Sequence, residues 1–283
     1  MKRLFCSDFD NTVARKGKIL KENVKAIHKL NDHGFDFVLA SGRPAANIRY
    51  IFHKYGIKGH IIANNGALCL PEGGESVQAY PIPPEEALAL IERAEGAGRK
   101  YLFYSRDICY IPRSWLCLMG SCLASGMVHF RTGMKIRTFS PGHPSFLEEG
   151  VFKMNIYLKQ NIQGLIDEIN QSGHLSATQS GDDKVEVMAG GVNKLLGIRS
   201  LATALKIPMD RVVAIGDFDN DKEMLAGVGW SFAMGDGSEK AIQAARMTTD
   251  PVDRLGFVKA VDWIIAHPEA GLLLAEGTST FNR

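Results

Sequence analysis

Residues Leu4-Phe5-Cys6-Ser7-Asp8-Phe9-Asp10-Asn11-Thr12 carry the decisive pattern of this chain. The run 4–7 reads as a short buried strand, and two carboxylates two residues apart stand at its mouth. Side chains alternate along a strand, so Asp8 and Asp10 would point to one side if the strand ran through them. Like charges at one buried place repel unless something holds them, usually a divalent cation. The pattern points to metal-assisted chemistry, with a solvated acidic turn as the plain alternative.

Strand and helix signals alternate beyond this stretch. Val24, Ile27 and Leu30 recur at helical spacing, with Gly34 as a C-terminal cap. Residues 35–40 read as a second strand, ended by Ser41-Gly42-Arg43-Pro44, and Pro44 suits the first position of a helix over 44–55. A third strand over 60–63 ends at Asn64-Asn65-Gly66. The same rhythm returns at about residue 192, with a helix over 194–205 and a strand over 211–215 ended by Gly216-Asp217. A helix over 221–225, a strand over 230–234, a helix capped by Ser238 and a last helix over 251–265 complete it. This alternation predicts an α/β fold, a Rossmann-like parallel sheet covered by helices. Ligands of such sheets sit at the carboxyl ends of the strands, where Asp8, Ser41 and Asn65 fall.

The middle of the chain reads differently. A helix over 85–97 precedes two adjoining strands, 100–104 and 108–111. A helix is expected over 114–124 and irregular chain over 126–145. A strand over 152–158, a helix over 162–169 and a hairpin of 174–179 with 185–188 around Gly181-Asp182 follow. These signals predict an inserted α+β domain, residues 83–189, within a core formed by 1–82 and 190–283. A length of 283 residues suits two domains. Residues beyond His267 read as a tail whose Thr278-Ser279-Thr280 end frays.

Composition narrows the partners. Lys+Arg 33 against Asp+Glu 31 gives a net charge of +2, no footprint for a polyanion, so no nucleic-acid partner is expected. Mild basicity still suits a small anionic substrate. The cysteines Cys6, Cys69, Cys109, Cys117 and Cys122 are odd in number and include no CxxC pair, which fits reduced thiols of a cytoplasmic protein and no zinc site. Asp8 interrupts the first apolar run too early for a signal peptide, and no apolar stretch is long enough to span a membrane.

Four segments meet at one end of the expected sheet: Asp8-Phe9-Asp10-Asn11-Thr12, Ala40-Ser41-Gly42-Arg43, Gly191-Val192-Asn193-Lys194 and Gly216-Asp217-Phe218-Asp219-Asn220-Asp221. In this order they resemble the four signature motifs of the haloacid dehalogenase (HAD) superfamily. Asn65-Gly66-Ala67 and Ala233-Met234-Gly235 are similar to stretches of its Cof-type sugar-phosphatase-like subfamily. The resemblance covers about residues 3–266 and implies a type II cap for the inserted segment. It implies that Asp8 is a nucleophile forming an aspartyl-phosphate, and that Asp10 is a general acid. It also implies a Mg²⁺ held by Asp8, the Asp10 backbone carbonyl and Asp217, with Asp221 in support. Ser41, Gly42, Arg43, Asn65, Lys194 and Asn220 are the implied substrate-binding positions.

Elementary chemistry agrees with these roles. A phosphomonoester dianion repels a carboxylate nucleophile, and a bound Mg²⁺ removes that barrier. A poor alkoxide leaving group needs a proton, and acid catalysis of this kind is worth about 10²–10⁴-fold. The dehalogenases and P-type ATPases of the superfamily lack the second Asp, so Asp10 disfavours both readings. Lys194 at a helix start opposes the helix dipole, which calls for an anionic partner nearby. Asn11 stands where Gly is usual, and Asn tolerates a left-handed backbone. Ser41 in place of the commoner Thr keeps the hydroxyl.

The expected activity is therefore a Mg²⁺-dependent phosphatase of small phosphorylated metabolites, sugar phosphates foremost. A phosphomutase or phosphotransferase of the phosphomannomutase type and a non-catalytic phosphoester-binding module are the alternatives. Specificity should live on the cap. Arg43, Asn65, Arg106, Lys153 and Asn155 are candidates to face the cleft, with His129, Arg131, Lys135 and Arg137 as a further rim.

Overall fold

The computed structural model describes residues 2–116, 134–142, 144–180 and 182–270. Its larger sheet has eight strands. In spatial order they are Met247–Thr248, Trp230–Ala233, Val212–Gly216, Arg3–Ser7, Phe35–Ala40, His60–Ala63, Leu68–Leu70 and Gln78–Ala79. The first six run parallel, and the last two add on antiparallel at one edge. This is the predicted α/β core.

Alternation along these strands explains why both faces are covered. Leu4, Cys6, Val38, Ala40, Val212 and Ala214 point to one face, under the helices Lys194–Leu205, Lys222–Ala226 and Glu239–Ala244. Phe5, Phe37, Leu39, Val213 and Ile215 point to the other, under Lys21–Asp32, Ala45–Tyr55 and Gly256–Ala266. There Phe257 meets Phe5 and Phe37 edge-on, at centroid distances of 5.9 and 6.5 Å. Strands buried on both faces read as continuous apolar runs, as these do.

The segment between Gln78–Ala79 and Lys194–Leu205 builds a separate six-stranded sheet. Its order is Lys135–Phe139, Ile108–Pro112, Lys100–Tyr104, Lys153–Tyr157, Lys184–Ala189 and Leu175–Gln179. All its pairs are antiparallel except Lys135–Phe139 with Ile108–Pro112. The helices Pro84–Gly96 and Ile162–Gln171 cover one face, over Tyr101, Phe103, Met154, Ile156, Val185 and Val187. The opposite face carries Lys153, Asn155 and Glu186 towards the core sheet. Lys153 and Glu186, both buried, pair at 3.0 Å, and each reaches across: Glu186 accepts from Asn65 at 2.7 Å, and Lys153 donates to the Gly42 carbonyl. Burial would raise the Glu186 carboxyl, but Lys153 and Lys184 outweigh it and hold it down at about 2.

Several local expectations change. Lys135–Phe139 is a strand within the stretch expected to be irregular; its charged, exposed alternation hides it, as suits an edge strand. Of the helix expected over 114–124, Arg113–Leu116 is helical and the rest lies outside the described residues, as do His129, Arg131 and the Thr278-Ser279-Thr280 end. Pro44 caps its helix rather than opening it. The last helix begins at Gly256, after a short turn Val252–Arg254 and a left-handed Leu255. A hairpin of Ala14–Arg15 with Lys18–Ile19, turned by Lys16 and Gly17 at positive φ, is an addition that the sequence pattern did not reveal.

The turn Asn64–Gly66 is wedged against the start of the helix Lys194–Leu205. Gly66 has φ +105°, and a Cβ there would run into the Asn193 carbonyl. Gly66→Ala should therefore cost about 2–4 kcal/mol by urea unfolding, through strain and overpacking together. Gly73→Ala, at φ +66° in open space, should cost about 1 kcal/mol. Equal losses would show that the close approach is not a constraint.

The Glu186 carboxyl is depressed in the fold from 4.5 to about 2. Its contribution is thus present above pH 4.5 and fades as the pH falls towards 2. Glu186→Gln should destabilise by on the order of 3 kcal/mol at neutral pH, with the gap to wild type closing across that window. A gap independent of pH would contradict the buried pair.

Candidate active site

The carboxyl ends of three parallel strands and the start of one helix converge. Asp8 follows Arg3–Ser7, Ser41 follows Phe35–Ala40 and Asp217 follows Val212–Gly216, while Lys194 is the first residue of its helix. The strand stops at Ser7, so Asp8 and Asp10 part: Asp8 is buried and Asp10 is exposed. Asn11 takes φ +58°, the left-handed turn that Gly usually supplies at this place in the motif.

Lys194 is the centre of the arrangement. Its side chain is fully buried, and Nζ donates to Asp8 Oδ1 at 2.5 Å and to Asp221 Oδ1 at 2.6 Å. The other Asp221 oxygen accepts from the backbone N–H groups of Asp217 and Phe218, each at 3.0 Å. Thr12 donates its hydroxyl to Asp217 Oδ1 at 2.7 Å. Gly216 makes room for this: a Cβ there would lie 2.5 Å from the Asp221 carboxyl carbon. Asp221 thus orients Lys194 and ties down the loop that carries Asp217.

Oxygen atoms of Asp8, Asp217 and Asp221 lie within 4.8 Å of one another. Three buried carboxylates against one ammonium leave two negative charges uncompensated. Burial pushes the Asp8 carboxyl well above the usual range despite Lys194, and Asp221 and Asp217 add to the rise. Burial and Asp221 push Asp217 up to about 6. For Lys194, burial opposes the charge, but Asp221 and Asp8 outweigh it and hold the ammonium above the ordinary lysine range. An oxygen-only, doubly negative donor set fits a hard divalent cation such as Mg²⁺, whose field would relieve both carboxyls.

Asp10 and Arg43 form a fork-to-fork pair, Nη2 to Oδ1 at 2.7 Å and Nε to Oδ2 at 3.0 Å. Arg43 also lies over the Phe9 ring, 4.4 Å from its centroid, and donates to Asn47. Ser41 is buried, and its Oγ accepts from the Arg43 N–H at 3.3 Å. Asn65, at φ +56°, is engaged by its neighbours: its amide donates to Glu186 and its oxygen accepts from Asn220 at 3.3 Å. Gly42 is held between Glu186 and Asn65, where a Cβ would lie 2.9 and 3.0 Å from their side-chain oxygens.

A cavity of about 650 Å³ opens above these groups, lined by Asp8, Asp10, Ser41, Arg43 and Asp217 from the core sheet. Lys153 and Asn155 of the expected cap residues line it, whereas Arg106 is turned to Ser76 and Arg137 to Glu149. Tyr104, Gln179, Lys184 and Glu186 also line it and were not singled out in the sequence, and so do Asp182, read there only as part of a turn, and Phe218, read only as part of the fourth motif. Polar residues at period two in Lys184-Val185-Glu186-Val187 were the signal available for two of them. Among the described residues no helix is long and apolar enough to cross a membrane.

The family model for haloacid dehalogenase-like hydrolases matches residues 5–261. An HMP-PP phosphatase of Yersinia pseudotuberculosis serotype O:1b is 26% identical over 236 residues, covering 83% of this chain and 84% of the relative. A haloacid dehalogenase-like hydrolase from B. subtilis superposes with a TM-score of 0.80 at 21% identity, over 92% of this chain and 99% of that one. A HAD subclass IIB sugar phosphatase superposes with a TM-score of 0.77 at 22% identity, over 93% and 99%. The parallel core sheet, the inserted mixed sheet and the family match agree: the chain belongs to the haloacid dehalogenase-like hydrolase family, as one of its phosphatase-type hydrolases.

Proposed function

We propose that this chain is a Mg²⁺-dependent phosphatase of small phosphorylated metabolites, sugar phosphates foremost, working through a phosphorylated Asp8 in the cytoplasm. The observation that carries the reading is the buried Lys194 joined to Asp8 and Asp221 beside Asp217. It holds Asp8 in place beneath the cavity, where the field of a bound divalent cation would keep that carboxyl ionised for attack. Three buried free thiols, Cys6, Cys69 and Cys109, suit a reducing compartment.

Asp8, Asp217 and the Asp10 backbone carbonyl would hold the ion, with Asp221 in support. The bound ion would screen the phosphoryl charge from Asp8 and stabilise the charge of the transition state. The free Asp8 oxygen attacks phosphorus in line, and the bond to the leaving oxygen breaks. Ser41 donates its hydroxyl to a phosphoryl oxygen, and Lys194 offsets the growing charge. Asp10 gives the leaving oxygen its proton and later takes one from the water that hydrolyses the phosphoaspartate. In this structure both Asp10 oxygens face Arg43, so Asp10 turns to the leaving group by exchanging that partner. Gly42, Asn65 and Asn220 shape the loops that Ser41 and Asp217 stand on. Residues 83–189 form a cap over the core of 1–82 and 190–283, and the Lys153–Glu186 pair seats it on the Gly42 and Asn65 loops, excluding water from the reaction.

Leaving-group dependence tests the division of labour. Asp8→Asn should abolish hydrolysis of alkyl and aryl phosphates alike. Asp10→Asn should slow an alkyl phosphomonoester by about 10²–10⁴-fold. The same variant should slow p-nitrophenyl phosphate much less, because that leaving group departs without a proton. Equal losses on both esters would remove Asp10 from the acid role, and activity of Asp8→Asn would remove the nucleophile.

A further inference from the structure

Asn65 stands where the loops of the site meet. Its backbone N–H donates to the Ser41 carbonyl at 3.0 Å, and its side-chain oxygen accepts from Asn220, one residue before Asp221. The turn Asn64–Gly66 that carries it lies against the start of the helix Lys194–Leu205, tight on the Asn193 carbonyl. The loops of Ser41 and Asp217 and the helix that opens on Lys194 therefore share one neighbour.

The residue type suits the place. Asn65 takes a left-handed backbone, which asparagine tolerates and most residues resist. Its side chain is 2% exposed, so its polar groups must be satisfied inside the fold. An amide carries donor hydrogens at one end and an acceptor at the other. Here Nδ2 donates to Glu186 at 2.7 Å and approaches Met188 Sδ at 3.8 Å, while Oδ1 accepts from Asn220 at 3.3 Å. Asn65 is not among the described residues that line the cavity above Asp8.

Glu186 decides which way this amide points. Its other oxygen binds Lys153 at 3.0 Å and Lys184 at 3.1 Å, so the group is held as a carboxylate, which can only accept. Only the Nδ2 end of Asn65 can face it, and that leaves Oδ1 for Asn220. Buried ion pairs of the inserted sheet thus set the polarity of a hydrogen bond made within the core.

We propose that Asn65 is a positioning residue, whose amide, aimed by Glu186, fixes the Ser41 loop and the loop 217–221 relative to one another. It acts through those loops and touches neither substrate nor metal. This inference rests on the phosphatase reading above and adds to it how the loops are held.

The test reads kcat and KM with p-nitrophenyl phosphate and, without substrate, Mg²⁺ affinity by calorimetry. Asn65→Gly keeps the left-handed turn and removes both side-chain bonds. It should lower kcat by about 10-fold to 10²-fold, with KM little changed. It should also weaken Mg²⁺ binding on the order of tenfold, through the displaced Asp217. Asn65→Asp sets two carboxylates face to face and should lose at least as much. Adding Glu186→Gln to Asn65→Asp reverses the polarity of the bond, because the glutamine amide can donate to the new carboxylate. This double variant should regain most of what Asn65→Asp lost, a recovery that general loosening of the fold would not give. Wild-type kcat and Mg²⁺ affinity in Asn65→Gly would overturn the inference, and so would a rise in KM at unchanged kcat, the mark of a substrate contact. A double variant no better than Asn65→Asp would overturn the part given to Glu186. Absence of turnover by the wild type on any phosphomonoester would sink the phosphatase reading, and calorimetry would still decide the role of Asn65.

Discussion

A lysine ammonium shut away from water between two carboxylates is the constraint on which the rest of the structure turns. Lys194 has no access to solvent, and its two short bonds to Asp8 and Asp221 are what make its burial tolerable. Removing one partner from such a group leaves a bare buried charge, at a cost of about 3–5 kcal/mol. The three residues come from distant parts of the chain, and each is delivered by a rigid element. Asp8 rides the end of the strand Arg3–Ser7, Lys194 opens a helix, and Asp221 is pinned by the Asp217 and Phe218 amides. The geometry is fixed before any substrate arrives, which is the condition for electrostatic catalysis.

The same principle joins the two sheets. Lys153 and Glu186 are buried on the cap, and they are satisfied by one another and by Gly42 and Asn65 on the core. Asn65 passes the contact on to Asn220, one residue before Asp221. A continuous set of hydrogen bonds therefore runs from the cap strand to the loop that orients Lys194. The inserted sheet and the loops around Lys194 are thus joined by hydrogen bonds, and polar side chains from both line the cavity between them.

Much of this was legible in the sequence, for reasons of different kinds. The core strands were plain because burial on both faces makes them unbroken apolar runs. The left-handed Asn11 followed from turn chemistry, and the anionic partners of Lys194 followed from its mismatch with the helix dipole. Lys135–Phe139 was hidden because an exposed edge strand carries no apolar signature. Glu186 was hidden for another reason: alternation in Lys184-Val185-Glu186-Val187 reveals a second face of the strand but not what docks on it. The engagement of Asn65 by Glu186 and Asn220 was out of reach on the same ground, since both partners are distant in sequence. Local pattern defines faces, and long-range docking decides their partners.

The central claim is that Asp8, held by Lys194, takes the phosphoryl group. Quenching the enzyme during turnover of a phosphomonoester with Mg²⁺, reducing with borohydride and mapping peptides by mass spectrometry tests it directly. Borohydride converts a phosphorylated aspartate to the corresponding alcohol and leaves a plain carboxylate untouched. The account predicts substrate-dependent reduction at Asp8 and at no other carboxylate. Reduction at a different aspartate, or none at Asp8 while phosphate is being released, would contradict it.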